Sequence, residues 1–182
     1  MNDSPDLQLN WQGAHHLALV TSDLDATVRF YHGLLGMPLM AAMGPMPYHG
    51  RHCFFRAGHF FMHFFEQPDA NIAVPPSDWV ENIITFVPGA YQHIAIAMED
   101  EASLLALRER LIRADVAVTE LMNQGPVRQF LLTDNNGIMI EVNWSPYDIF
   151  TRPIDYSDSN LFNDPDPVPA VREIMREGRL RR

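Results

Sequence analysis

The 182-residue chain contains no lysine and only one cysteine, Cys53. The absence of lysine excludes Schiff-base chemistry and the lysine-containing phosphate loop of nucleotide-binding proteins. A single cysteine cannot form an intrachain disulfide. Chains without disulfides are typical of a reducing compartment.

Positive charge and long apolar runs are also scarce. The net charge of -10 argues against binding to a phosphate backbone, which needs a basic face. No apolar run approaches the roughly 18 residues of a membrane span, and the N-terminal MNDSPDLQLNWQ lacks the basic and apolar regions of a signal peptide. We therefore expect a cytoplasmic globular protein, with 47% hydrophobic residues for its core and neither nucleic acid nor membrane as partner.

Histidine is well represented, with eight residues, two of them in the aromatic stretch HFFMHFFEQ at 59–67. Alternate side chains of a strand share a face, so His59 and His63 are expected to point the same way. A single histidine in such a strand is more often a satisfied core residue than a metal ligand. Its role therefore depends on what lies opposite the strand.

An internal repeat is the most informative pattern in the sequence. HLALVTSD at 16–23 aligns with HIAIAMED at 93–100, so that His93 follows His16 by 77 residues. Each segment alternates like a strand, ends in a residue suited to cap a helix and runs into helical periodicity, in DLDATVRFYHGLLG and DEASLLALRERLIRA. Further strand-like runs follow each helix, with DNNG at 134–137 as a hairpin turn. The pattern predicts two similar modules.

Side chains able to bind a metal recur at the first and last strand of both copies. Glu141 follows His63 by 78 residues, nearly the spacing that relates His93 to His16. Small residues such as Ala18 share the face of these side chains, while large aliphatic residues take the opposite face. The polar face therefore has room for a metal with its substrate, and four such side chains at equivalent positions favour a metal site.

The segments HHLALVTSDLDATVRFYHGLLGM and LLTDNNGIMIEVN resemble signatures of the vicinal oxygen chelate superfamily. This superfamily holds glyoxalase I, methylmalonyl-CoA epimerase, fosfomycin- and bleomycin-resistance proteins and extradiol dioxygenases. The resemblance implies an α+β fold in which two βαβββ modules, 14–68 and 90–145, form an open, barrel-like cup around one divalent metal ion. The remaining parts are an N-terminal tail (1–13), a connecting segment (69–89) and a C-terminal extension (146–182).

Carried over position by position, the resemblance places metal ligands at His16, His93 and Glu141, with His63 in the remaining last-strand position. Imidazoles plus a carboxylate suit Fe(II), our first expectation, and would also hold Zn, Ni, Mn or Co. His59, on the predicted face of His63, is a candidate for supporting the ligands or for acid–base catalysis.

Two enzyme chemistries follow from the number of ligands. If His63 does not bind, three positions stay open for a chelating substrate and dioxygen, and His63 or His59 transfers protons, as in a dioxygenase. If His63 binds, two open positions suit polarisation of a carbonyl by a lyase or isomerase of the glyoxalase I or methylmalonyl-CoA epimerase kind, with Glu141 as the carboxylate base. Extradiol dioxygenases carry a tyrosine and a histidine where this chain has Leu131 and approximately Met122.

The leading expectation is an Fe(II) extradiol-type dioxygenase acting on a small, aromatic substrate that chelates through vicinal oxygens. The first alternative is the lyase or isomerase. The second is a binding protein without turnover, against which the retention of all four ligand positions argues.

Three other histidines receive structural interpretations. His15 is expected to face away from His16, while His49 and His52 are expected to be solvated residues of a pocket rim.

The segments outside the modules carry apolar residues that suggest contacts. The connecting segment is expected to pack over the cup or to join a partner chain, through Trp79, Ile83 and Phe86. The extension is expected to end in a helix from about Pro169 that wraps a neighbouring subunit with Val171, Ile174 and Met175. A homodimer is therefore expected, and the sequence leaves open whether the four ligands come from one chain or two.

Overall fold

The computed structural model describes residues 13–45, 50–72, 75–76, 78–81, 92–124, 126–147, 153–159 and 162–180. The predictions for His49, Ile83 and Phe86 fall outside these described residues.

Eight strands form two four-stranded mixed sheets with the same topology. The first sheet has the order β1-β4-β3-β2, from β1 (His16–Thr21), β2 (Leu39–Met43), β3 (His52–Ala57) and β4 (Phe60–Glu66). The second has the order β5-β8-β7-β6, from β5 (Ile94–Ala97), β6 (Met122–Gln124), β7 (Val127–Thr133) and β8 (Met139–Trp144). In each sheet the first strand runs parallel to the last, and the other pairs are antiparallel. The predicted α+β fold of two βαβββ modules is confirmed, and in the described part of the chain the sheets do not close into a barrel.

The strand register relates the two modules residue by residue. Ala18 of β1 lies opposite His63 of β4, and Ala95 of β5 lies opposite Glu141 of β8. The predicted equivalence of His63 and Glu141 in the two last strands is therefore confirmed.

Each module's helix begins at a capping aspartate, as the repeat predicted. Asp23 accepts a hydrogen bond from the Ala26 amide at 2.9 Å and starts α1 (Leu24–Val28), which continues as a π-helical turn (Arg29–Leu34). Asp100 accepts from the Ser103 amide at 2.6 Å and starts α2 (Glu101–Arg113). Both caps satisfy amide groups that the first helical turn leaves without partners.

The third helix, α3, spans Pro169–Glu177 and ends at Gly178, whose φ of 72° suits glycine. Its apolar side is only partly covered, since Val171 is 36% exposed. Over the described ranges, the chain has no helix with the length and hydrophobicity needed to cross a bilayer.

One apolar core contains the helix-facing sides of both sheets. It joins Tyr31, Phe55 and Phe64 of the first module to Phe130, Ile140 and Leu111 of the second. Cys53 also lies in this core, fully buried, and burial raises the pKa of its thiol to about 11. Because the two helix-facing sides share this core, the faces that carry His16 and Glu141 are turned away from it.

A buried polar cluster fastens the first module to the β7–β8 turn of the second. The Tyr31 hydroxyl donates to Asp134 Oδ2 at 2.9 Å, and Asn135 Nδ2 donates to Thr27 Oγ1 at 3.0 Å. Asp134 also accepts from the amides of Asn136 and Ile138, which closes the turn. Burial raises the pKa of the Asp134 carboxyl, and these hydrogen bonds oppose part of that shift.

Candidate metal centre

The second sheet places His93 and Glu141 in contact. His93 immediately precedes β5, Glu141 lies in β8, and His93 Nε2 is 3.3 Å from Glu141 Oε2. His93 Nδ1 bonds to the side-chain oxygen of Gln92, and Asn143 Nδ2 donates to Glu141 Oε1 at 2.6 Å. An amide oxygen only accepts, so Nδ1 is the donor in this contact and Nε2 is the ring nitrogen that faces the carboxylate. Metal-binding histidines and carboxylates are commonly held by such outer partners.

The spacing of this pair fits two ligands of one cation. Two donor atoms that each lie about 2.1 Å from a shared ion are about 3.0 to 3.4 Å apart in octahedral or tetrahedral geometry. The separation of 3.3 Å lies within this interval. The donor types also fit a divalent transition metal, because imidazole nitrogen and carboxylate oxygen are among its usual ligands.

The first sheet carries the other two predicted ligands as a second pair. The ring centres of His16 and His63 are 5.8 Å apart. His15 Nδ1 lies 2.8 Å from His16 Nδ1, so the residue before the first-strand histidine bonds to its Nδ1, as Gln92 does with His93. The prediction that His15 faces away from His16 is therefore wrong: His15 precedes β1, which begins at His16, and its ring contacts the rings of His16 and Phe61.

Aromatic rings surround His63, which is only 7% exposed. The Phe54 ring stacks on it with ring centres 3.7 Å apart. The Phe65 ring is tilted by 44° relative to it, and their ring centres are 4.0 Å apart. These contacts leave the His63 ring little freedom to rotate.

The prediction that His52 is a solvated residue of a pocket rim is wrong. His52 is 5% exposed, and its ring lies 5.4 Å from Phe65 and 5.3 Å from His63. It begins β3 opposite Phe65, so a side chain from the neighbouring strand covers it. The alternation of HCFF would have placed His52 on the same face as Phe54.

His59 lies outside the strand that was predicted to carry it. β4 begins at Phe60, and His59 is an exposed residue of the turn after Gly58, whose φ is 60°. It therefore does not share the strand face of His63, and its role in acid–base catalysis stays a prediction.

The four predicted ligands form two pairs within one chain and do not converge. All four are described, and within the described ranges no three His, Cys, Asp or Glu side chains form a group able to hold a metal ion. His16, His93 and Glu141 thus do not share one centre in a single chain. The reason is the packing of the modules, whose helix sides meet while the ligand-bearing faces point outward.

Trp79, from the connecting segment, packs on the ligand-bearing face of the second sheet. It is 5% exposed and contacts a small apolar cluster with Leu131 and Met139. Leu131 lies directly opposite Glu141 in the β7–β8 ladder. The connecting segment was predicted to pack over the cup or to join a partner chain, with Trp79 among its apolar residues. Trp79 covers part of the outer face of the second sheet.

Two repeated βαβββ modules, each with two of the predicted ligands on its sheet, define a class of α+β proteins built from paired modules. The family model of the Glyoxalase/Bleomycin resistance protein/Dioxygenase superfamily matches residues 13–142. The chain belongs to this family, and the resemblance seen in the sequence is confirmed.

Solved structures share the fold at low sequence identity. A glyoxylase/bleomycin resistance protein/dioxygenase domain from Frankia sp. EAN1pec superposes with a TM-score of 0.61 at 17% identity, covering 75% of this chain and 99% of that one. The fosfomycin resistance protein FosX from Listeria monocytogenes gives 0.54 at 17% identity over 75% and 95% of the two chains. Lactoylglutathione lyase from Agrobacterium tumefaciens gives 0.50 at 20% identity over 74% and 95%. A comparison with curated proteins found no match.

Proposed function

We propose that the protein is a divalent-metal-dependent enzyme with His16, His93 and Glu141 as metal ligands and with His63 as either a proton-transfer group or the fourth ligand. The contact of 3.3 Å between His93 Nε2 and Glu141 Oε2 carries this proposal, because its spacing and donor types suit one cation. Support comes from Asn143, which holds the second carboxylate oxygen of Glu141.

A second copy of the chain would complete the site. The ligand pairs lie on outward faces, where His16, Ala18 and Ala95 are exposed. Among the described strands, β1 and β5 lie at the edges of their sheets, where another module can approach them. A twofold dimer that sets the first module of each copy against the second module of the other would assemble two identical sites.

The leading reaction is that of an Fe(II) dioxygenase acting on a small aromatic substrate with vicinal oxygens. When bound, the cation would chelate two neighbouring substrate oxygens and stabilise negative charge on them. The face around His63 carries Phe54, Phe61 and Phe65, which suit an aromatic or apolar body. In this reaction His63 would move protons between its own ring and the substrate oxygens.

A lyase or isomerase is the second candidate, and the His16–His63 pair favours it. Two imidazoles bound to one ion through nitrogen at about 2.1 Å have ring centres about 4.6 to 5.3 Å apart at octahedral or tetrahedral angles. The observed 5.8 Å is slightly wider, so a small movement of either ring would allow both to bind one ion. With His63 as a fourth ligand, Glu141 would serve as the carboxylate that removes or returns a proton on the substrate.

Metal content and oxygen uptake separate these functions. Protein purified without chelator is expected to contain stoichiometric divalent metal, and a preparation that binds none would favour a binding protein without turnover. Fe(II) is then loaded without oxygen and a panel of catechols and hydroquinones is added. Oxygen consumption with ring cleavage is the expected result, whereas turnover without oxygen consumption would favour the lyase or isomerase.

Mixing two inactive variants tests the assembly from two copies. His16→Ala disables the first module and Glu141→Ala the second, so a mixed dimer would hold one intact site of two. Random exchange is expected to restore about one quarter of all sites, measured by metal binding. A mixture of His93→Ala with Glu141→Ala, both in the second module, is the matched control and should restore none. The same absence of recovery in the first mixture, with subunit exchange demonstrated, would show that each chain builds its own site.

A further inference from the structure

Trp79 covers one side of the ligand-bearing face of the second sheet. Leu131 and Met139 beneath it are 4% and 1% exposed, although both side chains are on the outer face of the sheet. Leu131 is the cross-strand neighbour of Glu141, and Met139 precedes Glu141 by two residues on the same face. The indole therefore covers two residues that neighbour Glu141 in the sheet.

The equivalent face of the first sheet remains more open. Phe54 lies opposite His63 as Leu131 lies opposite Glu141, and Phe61 precedes His63 by two residues as Met139 precedes Glu141. Phe54 and Phe61 are both partly exposed, with perpendicular rings 6.2 Å apart. The same fold thus tolerates a partly exposed apolar face at these positions, and among the described residues an indole covers them only in the second module.

The other side of the second sheet is built from small residues. Ala95 and Ala97 of β5 are exposed and lie beside Glu141 and Asn143 of β8. Trp79 thus packs on the β7 side of Glu141, whereas the β5 side carries small, exposed alanines. A substrate that binds a metal at Glu141 would meet the indole with its apolar body.

We infer that Trp79 is a specificity-determining residue, forming the pocket wall that limits the size of the substrate's apolar body to about one ring. This inference rests on the proposed metal site. A flat, buried indole suits this role because it presents a large apolar surface with few rotatable bonds.

Two chelating probes of different size test the wall at equilibrium. Catechol and naphthalene-2,3-diol present the same pair of oxygens on one ring or on two fused rings. Their dissociation constants are measured with redox-inert Zn(II) in wild type, Trp79→Phe and Trp79→Leu, after thermal melting confirms folding. Trp144→Phe is the matched control, because Trp144 packs against the core on the opposite face of the same sheet.

The wild type is expected to prefer catechol, and Trp79→Leu is expected to shift the ratio of the two dissociation constants toward naphthalene-2,3-diol by about tenfold. Trp79→Phe should shift it less, and Trp144→Phe should leave it unchanged. If folded Trp79 variants bind stoichiometric Zn(II) but show an unchanged ratio of the two dissociation constants, Trp79 does not limit substrate size. The proposed metal site would be unaffected by that result. Failure of the wild type to bind metal in equilibrium dialysis would overturn the proposed function and this inference with it.

Discussion

Tyr31 and Asp134 are joined by a hydrogen bond of 2.9 Å between the two modules, although 103 positions separate them in the sequence. Both side chains are buried. The bond ties the π-helical turn of the first module to the β7–β8 turn of the second, and it helps to hold the helix sides of the modules together.

Replacing Tyr31 by phenylalanine should lower the free energy of unfolding by about 1 to 3 kcal/mol, because Asp134 loses a donor that water cannot replace in the core. Urea unfolding measures the loss. Tyr147→Phe is the control, since Tyr147 is 68% exposed. Equal stability of the two variants would show that the Tyr31 bond contributes nothing net.

The contribution of Asp134 to the free energy of unfolding should increase as pH falls, whereas that of a carboxyl with a lowered pKa decreases. Burial raises the folded pKa of Asp134 above its ordinary value of 3.8. Its stabilising contribution is therefore fully present below that ordinary value and is lost as pH rises through the folded pKa. Relative to Asp134→Asn, the wild type should gain stability as pH falls from about 7 to about 4.

Asp100 supplies the matched control for this pH dependence. The hydrogen bond from the Ser103 amide lowers the pKa of Asp100, so its contribution is present above the ordinary value and is lost as pH falls through the folded pKa. The difference between wild type and Asp100→Asn should thus change in the opposite direction in the same unfolding series. Parallel trends for the two variants would contradict the assignment for Asp134.

Asn143→Leu should weaken metal binding by about 10- to 100-fold, because Glu141 would lose the donor that fixes its carboxylate. Competition with a chromophoric chelator measures the affinity. Asn123→Leu, at an exposed position of β6 in the same sheet, should have no effect. A normal affinity in Asn143→Leu, together with loss of binding in His93→Ala, would show that Glu141 needs no such support.

Removal of residues 149–182 should shift the protein from dimer to monomer at a given concentration. The reason is the partly uncovered apolar side of α3, which we propose contacts a neighbouring subunit. Sedimentation velocity measures the change. The double substitution Val171→Ser with Ile174→Ser in the full chain isolates the apolar side, and an unchanged oligomeric state in both proteins would contradict the proposal.

Local sequence signals were sufficient for the modules themselves. The capping aspartates, Asp23 and Asp100, and the alternation around His16 and His93 depend on neighbours within a few residues, so a repeat in the sequence becomes a repeat in structure. The equivalence of His63 and Glu141 follows from the same register.

Local sequence signals did not predict how the two modules pack against each other. Alternation shows which side chains share a face, but both faces carry apolar residues, so it does not decide which faces meet. The burial of His52 comes from Phe65 on another strand, and the position of Trp79 comes from a proline-containing segment without periodicity. Contacts of this long-range kind have no local sequence signature.

The burial of Cys53 has a practical consequence for measuring how two copies are arranged. Its thiol stays protonated at neutral pH and is enclosed by the core, so it should not react with maleimides while the protein is folded. A cysteine introduced on the surface would then be the one labelled position in each chain, without removal of the native residue. Paired spin labels at such a position would report the distance between subunits in solution.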